Sequence, residues 1–355
     1  MSTKNTPQPA NPVTPRHRLR NFAAALLVAI VLICLCIAGY VHFFPEQIAR
    51  RTVESWRRNA KLTRHEIDLP GGYHCVYLEG GTGEPLVLLH GFGANKDNFG
   101  PVAHLLGPHH RLIIPDLAGF GEASKTPDAD YSPPAQAQRI HSLAQALKLG
   151  RFHLGGSSMG GQIAIACAAA FTNDVASLWL LAPAGVWTAP ASDVFQTIAA
   201  GKGNPMLVRN EDEFTRLFAL VMHKPPPVPR PVLRVLAQMR IQNAALEERI
   251  FPLLTNCFVE PLAARLNVPT LIVWGENDRS LHVDGGRILN KALRGSELIL
   301  LPEIGHLPMI EVPERVAHDY LAFRQKLRHA SKMHALLLTQ PRAEVAIERT
   351  RGPGR

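Results

Sequence analysis

Beyond residue 64 the chain alternates short, continuously apolar runs with helix-like stretches, and few folds accommodate that alternation. The runs are Leu86–Leu89, Arg111–Pro115, Phe152–Gly155, Ser177–Leu181, Thr270–Trp274 and Glu297–Leu301. A strand that is apolar at successive positions, rather than at every second one, is covered on both faces. Pro134–Leu149 and Gly160–Ala170 read as helices between such runs. Short buried strands separated by helices imply a parallel sheet with helices on both faces. His65–Leu69 and Tyr73–Leu78 flank Gly71-Gly72 and read as a hairpin ahead of it. The alternation breaks between Trp187 and Leu266. There Phe214, Leu217, Phe218, Val221 and Met222 fall at i, i+3, i+4, i+7 and i+8, one face of a helix. This predicts a helical cap over 187–266, inserted between two strands of a core formed by 65–186 and 267–327. Pro225-Pro226-Pro227, with Pro229 and Pro231, reads as a helix-terminating linker inside that cap rather than a polyproline ligand.

The chain has 355 residues, 46% of them apolar, enough for a large core, and its formal net charge is +9. That charge is unevenly spread. Residues 1–64 carry +8 and residues 326–355 carry +5, leaving −4 for the body between them. A nucleic-acid binder needs its basic patch on the folded domain, so nucleic acid is not expected as a partner. A basic flank suits an anionic membrane surface instead. From Phe22 to Val41 there is no charged residue, and twenty helical residues span about 30 Å, the hydrocarbon thickness of a bilayer. The segment 22–41 is therefore expected to be a transmembrane anchor. A cleaved signal is the alternative, since Cys36-Ile37-Ala38 resembles a small-x-small cleavage site. Arg16, Arg18 and Arg20 on one flank nearly balance Arg50, Arg51, Arg57 and Arg58 on the other, so orientation stays open. Residues 45–64 read as a basic juxtamembrane helix or as a solvated linker. Residues 1–21 and 328–355 are expected to be disordered and basic. Five cysteines without metal-ligand spacing make neither a disulfide scaffold nor a metal site.

Gly156-Ser157-Ser158-Met159-Gly160 fits G-x-S-x-G around Ser158; Ser157 lacks the glycine two places on. A nucleophile at a sharp strand-to-helix turn sits on strained backbone, where side chains two positions before and after would collide. A serine hydroxyl needs a base to take its proton. His306, in the loop after Glu297–Leu301, lies late in the chain at a strand's C-terminal end, and Asp278 follows Thr270–Trp274 in the same way. His306 would serve as base, with Asp278 fixing its tautomer. Glu276 is a possible replacement acid, and Asp284 is a weaker rival further from the strand. The backbone N–H groups of Phe92, in His90-Gly91-Phe92-Gly93, and of Met159 are candidate oxyanion donors. His90 is read as orienting that loop.

From Glu84 to Phe323 the chain resembles a serine hydrolase of the α/β-hydrolase superfamily. The resemblance rests on His90-Gly91-Phe92-Gly93, Pro115-Asp116-Leu117-Ala118-Gly119-Phe120-Gly121, the Ser158 motif, Trp274-Gly275-Glu276-Asn277-Asp278 and Gly305-His306, standing in the family's order. With its N-terminal anchor it is similar to membrane-anchored monoacylglycerol lipases and related bacterial lipases. The resemblance implies an α/β-hydrolase fold with a mostly parallel sheet and an inserted cap. It also implies Ser158 as nucleophile, Asp278 as acid, His306 as base, and Phe92 and Met159 at the oxyanion hole. Asp116 matches a structural turn. The expected activity is hydrolysis of lipid-like carboxylic esters, monoacylglycerols among them, with no metal or organic cofactor. Two alternatives stand beside it: a carbon–carbon bond hydrolase with the same triad, and a non-catalytic anchored binding protein.

Overall fold

The structure is a computed structural model, and it describes residues 15–339. It opens with two helices, α1 (Pro15–Phe43) and α2 (Pro45–Asn59), and a hairpin of β1 (Thr63–Leu69) and β2 (Tyr73–Gly80). There follow β3 (Glu84–Leu89), α3 (Gly100–Leu106), β4 (His110–Pro115), α4 (Pro133–Ala146), β5 (Phe152–Ser157), α5 (Met159–Ala170) and β6 (Val175–Leu181). Four helices come next without an intervening strand: α6 (Asp193–Ala199), α7 (Glu211–Val221), α8 (Arg230–Thr255) and α9 (Glu260–Ala263). The chain then returns to β7 (Thr270–Gly275), α10 (Asp284–Ala292), β8 (Glu297–Leu301), α11 (Pro308–Glu311) and α12 (Pro313–Thr339).

The eight strands form one sheet in the order β1-β2-β4-β3-β5-β6-β7-β8. β1 and β2 pair antiparallel, β2 joins β4 antiparallel, and every pairing from β4 through β3 to β8 is parallel. The pleat sends successive side chains to opposite faces. Val87 and Leu89 of β3 pack into the core under α4 and α5. Leu86 and Leu88 pack into the other, with Val102 and Leu106 of α3 and Tyr320 and Phe323 of α12. Burial on both faces explains the unbroken apolar runs. The proline-rich stretch separates α7 from α8, and α7 buries Leu217 and Val221 with Met222 and Val208 in a small core of the cap.

Residues Leu19–Phe43 of α1 form a 25-residue apolar helix with none of its length buried against the protein. It is long and apolar enough to cross a membrane, and a signal sequence near the N-terminus has the same features. The helix begins at Pro15, so residues 15–21, expected to be disordered, are helical; the rest of that expectation, 1–14, lies outside the described residues. The tail needs a similar correction. Helix α12 continues to Thr339, past the boundary expected at Arg328. Residues 328–339 hold neither proline nor glycine and are rich in helix formers, so nothing halts a helix already packed at Tyr320 and Phe323. Arg328 also pairs with Glu84 at 2.8 Å. Residues 340–355 lie outside the described residues.

Candidate active site

Ser158 stands between β5 and α5 with φ 55° and ψ −120°, backbone that a non-glycine residue adopts only under strain. The turn is as tight as the motif requires. A Cβ on Gly156 would overlap the backbone of Gly160, and one on Gly160 would overlap the carbonyls of Leu89 and His90. The Ser158 N–H donates to Leu181 O at 2.9 Å, and its carbonyl accepts from Ala184 N at 2.9 Å. Ser158 is 9% exposed. Ser157, the other serine of the motif, is the last residue of β5, and its Oγ is buried with no hydrogen-bond partner among the described residues. It has no route to a substrate.

Asp278 and His306 meet in space. His306 Nδ1 lies 2.7 Å from Asp278 Oδ2, with both side chains almost wholly buried. Asp278 Oδ1 accepts from the N–H groups of Ser280 (2.8 Å) and Leu281 (3.0 Å). A carboxylate only accepts, so Nδ1 carries the proton and Nε2 is left with a free lone pair. The loops that carry the pair are stitched together: Asn277 N donates to Ile304 O at 2.9 Å, and a Cβ on Gly275 would overlap Gly305 O. These loops and Ser158 lie at the C-terminal ends of β7, β8 and β5, with β6 bridging the sheet between them: Ser157 pairs with Leu181, Leu181 with Val273, and Gly275 with Leu301. No hydrogen bond joins Ser158 Oγ to His306 among the described residues. Such bonds tighten only in the complex with substrate in many enzymes. The rival acids are elsewhere: Asp284 pairs with Arg287 at 2.6 Å, and Glu276 is exposed.

The loop after β3 abuts the serine. A Cβ on Gly91 would sit 3.3 Å from Ser158 Cβ and 3.9 Å from its Oγ. The Phe92 N–H donates to no acceptor among the described residues. Met159 is the first residue of α5, so its N–H has no intrahelical partner either. His90 fixes the loop's start: its Nδ1 donates to Gly91 O at 2.8 Å, and its Nε2 accepts from Leu117 N at 3.0 Å. Burial pushes the His90 pKa down, which keeps the ring neutral and able to play both parts.

Three features of the site gave no sequence signal. Lys96, 2% exposed, donates its Nζ to Asp116 (2.7 Å) and Glu122 (2.6 Å), while its N–H donates to Asp116 at 2.7 Å. Arg240 of α8 reaches from the cap onto the loop after β3; a Cβ on Gly93 would overlap its guanidinium, which lies 5.7 Å from the centre of the Phe92 ring. It is held by the buried Glu247 at 2.9 Å and by Met206 O at 2.6 Å. Glu311 accepts the N–H groups of Gly305, His223 and Lys224, tying the end of the cap's α7 to the loop that carries His306. Between cap and core lies a cavity of about 330 Å³, lined by Pro183, Val186, Trp187, Phe195, Trp274 and Leu281 among others.

The sheet order, the helical insertion after β6 and the strained serine turn together define a class, and comparison with known proteins agrees with it. Residues 84–313 match the family model described as alpha/beta hydrolase fold, and the chain belongs to that family. It is similar to Lipase 3 of Moraxella sp. (strain TA144), 40% identical over 285 residues that cover 79% of this chain and 90% of the relative. Monoacylglycerol lipase ABHD6 of Homo sapiens is 28% identical over 296 residues, covering 79% of this chain and 88% of that protein. Among solved structures, a bacterial membrane phospholipase A superposes with a TM-score of 0.77 at 35% identity, covering 86% of this chain and 99% of the other. The chain is accordingly a hydrolase, with relatives that are lipases.

Proposed function

We propose that this protein is a membrane-anchored serine carboxylic-ester hydrolase that cleaves lipid-like esters, monoacylglycerols among them. One observation carries the reading: a strained serine after β5 and a buried His306–Asp278 pair after β7 and β8 stand along the C-terminal edge of one mostly parallel sheet. In this mechanism Ser158 Oγ attacks the ester carbonyl carbon as His306 Nε2 takes its proton. The tetrahedral oxyanion is held by the N–H groups of Phe92 and Met159. His306 then protonates the departing alcohol oxygen as the acyl–oxygen bond breaks, leaving an acyl-serine. Water, deprotonated by the same Nε2, attacks the acyl carbon; the acyl–Oγ bond breaks, His306 returns the proton to Ser158 Oγ, and the carboxylic acid leaves. Asp278 stays ionised and balances the imidazolium.

The apolar cavity between cap and core would suit a hydrocarbon chain, but its lining includes neither Ser158 nor His306, so it supports the reading less than the relatives do. The lipase relatives point to the same substrate class. An anchor in Leu19–Phe43 would hold the site where amphiphiles gather. The test is a hydrolysis screen over p-nitrophenyl esters of increasing acyl length and monoacylglycerols, with Ser158→Ala as control and fluorophosphonate labelling of both proteins. Turnover of long-chain esters and monoacylglycerols, lost in Ser158→Ala, supports the proposal. Activity confined to short esters points to a general esterase, and a wild-type protein that never labels points to a binding protein.

A further inference from the structure

Helix α2 lies outside the stretch that matches the family, residues 84–313, yet it grips the oxyanion loop. Trp56 lies on Gly100, where a Cβ would come within 2.8 Å of its ring. Arg57 donates Nε and Nη2 to the two carboxylate oxygens of Asp97, each at 2.7 Å. The side chains of this pair are only 24% and 15% exposed. A two-pronged, shielded arginine–carboxylate pair fixes orientation as well as distance. Asp97 stands in the turn Lys96–Phe99, five residues beyond Phe92, and its N–H is capped by Asn95 Oδ1 at 2.9 Å.

The loop between β3 and that turn is thus held at four points. His90 holds its start through Leu117, Arg240 covers Gly93, and Asp116 takes both donors of Lys96. These three holds come from the catalytic body and its cap. The fourth, Arg57 on Asp97, comes from the helix that follows the apolar N-terminal segment.

We propose that Arg57 is a positioning residue for the oxyanion loop, holding the Phe92 N–H in place through Asp97. The inference rests on the Proposed function in taking that N–H as an oxyanion donor. A donor in such a hole acts only where it points at the developing charge, and misplacement by an ångström can cost about 100-fold in rate. Freeing Asp97 lets the turn Lys96–Phe99 shift, and the shift is felt at Phe92. Residues from Pro45 onward then belong to the catalytic unit, whether Leu19–Phe43 is an anchor or a signal.

The experiment uses the full chain in detergent as wild type, Arg57→Ala, Arg57→Lys and, as control, Arg58→Ala, whose side chain is 68% exposed. Active sites are counted by fluorophosphonate titration. Then kcat per titrated site is measured on p-nitrophenyl butyrate, and Ki for a trifluoromethyl ketone, which forms the tetrahedral oxyanion adduct. In Arg57→Ala, kcat per site falls at least about tenfold with KM within about twofold, and the ketone's Ki rises by the same factor. Arg57→Lys recovers part of the loss, and Arg58→Ala matches wild type. If Arg57→Ala only reduces the number of titratable sites, with kcat per site and Ki unchanged, Arg57 merely docks α2 and the proposal is overturned. A wild-type protein that neither labels nor binds the ketone is a different result, and it overturns the serine-hydrolase reading together with this one.

Discussion

Asp278 meets His306 through one carboxylate oxygen, at 2.7 Å, while its other oxygen accepts the N–H groups of Ser280 and Leu281. This division of labour fixes the carboxylate's orientation before the imidazole is considered. The backbone donors hold Oδ1, and Oδ2 is left aimed at Nδ1. The bond dictates which nitrogen of His306 is free to take a proton. In Asp278→Asn the backbone donors still claim the side-chain oxygen, so the amide NH2 faces Nδ1. Two donors cannot pair, and the imidazole switches to the tautomer with its proton on Nε2. With Asp278 as the acid of the proposed triad, the expected result is a fall in kcat of about 10⁴-fold with KM little changed. Steady-state kinetics on a p-nitrophenyl ester, with thermal unfolding to show a folded protein, checks it.

Much of this arrangement is legible in the sequence, because the features concerned are local. A strand buried on both faces must be apolar throughout, as Leu86–Leu89 and Thr270–Trp274 are. A strained elbow must have its glycines, as Ser158 has Gly156 and Gly160. Lys96, Arg57, Arg240 and Glu311 escape for the opposite reason. A single charged residue has the same sequence signature on a solvated surface as in a buried pair. Only the fold brings Asp97 to Arg57 across 40 residues, or Glu311 to His223 across 88. The tail past Arg328 is misread from its charge alone, since charge does not stop a helix that lacks a breaker.

Stability should fall in acid in two overlapping stages. Burial pushes the His110 imidazole from 6.5 down to about 4. Burial, with Arg324 nearby, pushes His153 down as well. Each binds a proton more readily in the unfolded chain than in the native one. Stability therefore rises with pH between the folded and unfolded values, and is lost as pH falls below about 6.5 toward 4. Glu122 adds a second stage. Its burial raises the pKa, but hydrogen bonds from Arg64 and Lys96 outweigh that and hold it at about 2. Its contribution is present above its unfolded value of 4.5 and is lost as pH falls from there toward 2. Denaturant midpoints at pH 8, 6.5, 5 and 4 should decline across the last three. A His110→Gln/His153→Gln double variant should flatten the decline between 6.5 and 4; an unchanged slope would remove these histidines from the account.

The cap's Arg240–Glu247 pair should show strong non-additivity. Glu247 is 1% exposed, and its burial raises its pKa despite the arginine beside it. Arg240→Met strands that carboxylate, at a cost of about 3–5 kcal/mol if it stays ionised. The group escapes part of the cost by keeping a proton. A raised pKa contributes stability below the unfolded value that is lost as pH rises through the folded one. The Arg240→Met variant should thus lie nearest wild type around pH 5 and fall behind as pH rises. Arg240→Met/Glu247→Leu, with neither charge, should recover much of the loss at neutral pH. A double-mutant cycle by denaturant unfolding at pH 5 and pH 8 measures both effects, and additive losses at both pH values would show that the two side chains act independently.

Glu311 offers the sharpest test of how the cap is tied to the loop that carries His306. One of its oxygens accepts Gly305 N–H at 2.9 Å, and the other accepts His223 and Lys224 N–H at 2.8 and 3.0 Å. The His306 N–H in turn donates to Val221 O at 2.9 Å, so the loop and the end of α7 are bonded in both directions. Removing the carboxylate leaves three donors to find water, a loss on the order of 2 kcal/mol for a partly exposed cluster. It also frees Gly305, the residue before His306. In Glu311→Ala, amide hydrogen exchange should quicken together in residues 221–224 and 304–306, with little change in the strands beneath them. The same variant should label more slowly with a fluorophosphonate, because His306 is less often in register with Ser158. Exchange that quickens on only one side of the carboxylate would mean that Glu311 serves one segment alone, and that the cap and the histidine loop move independently.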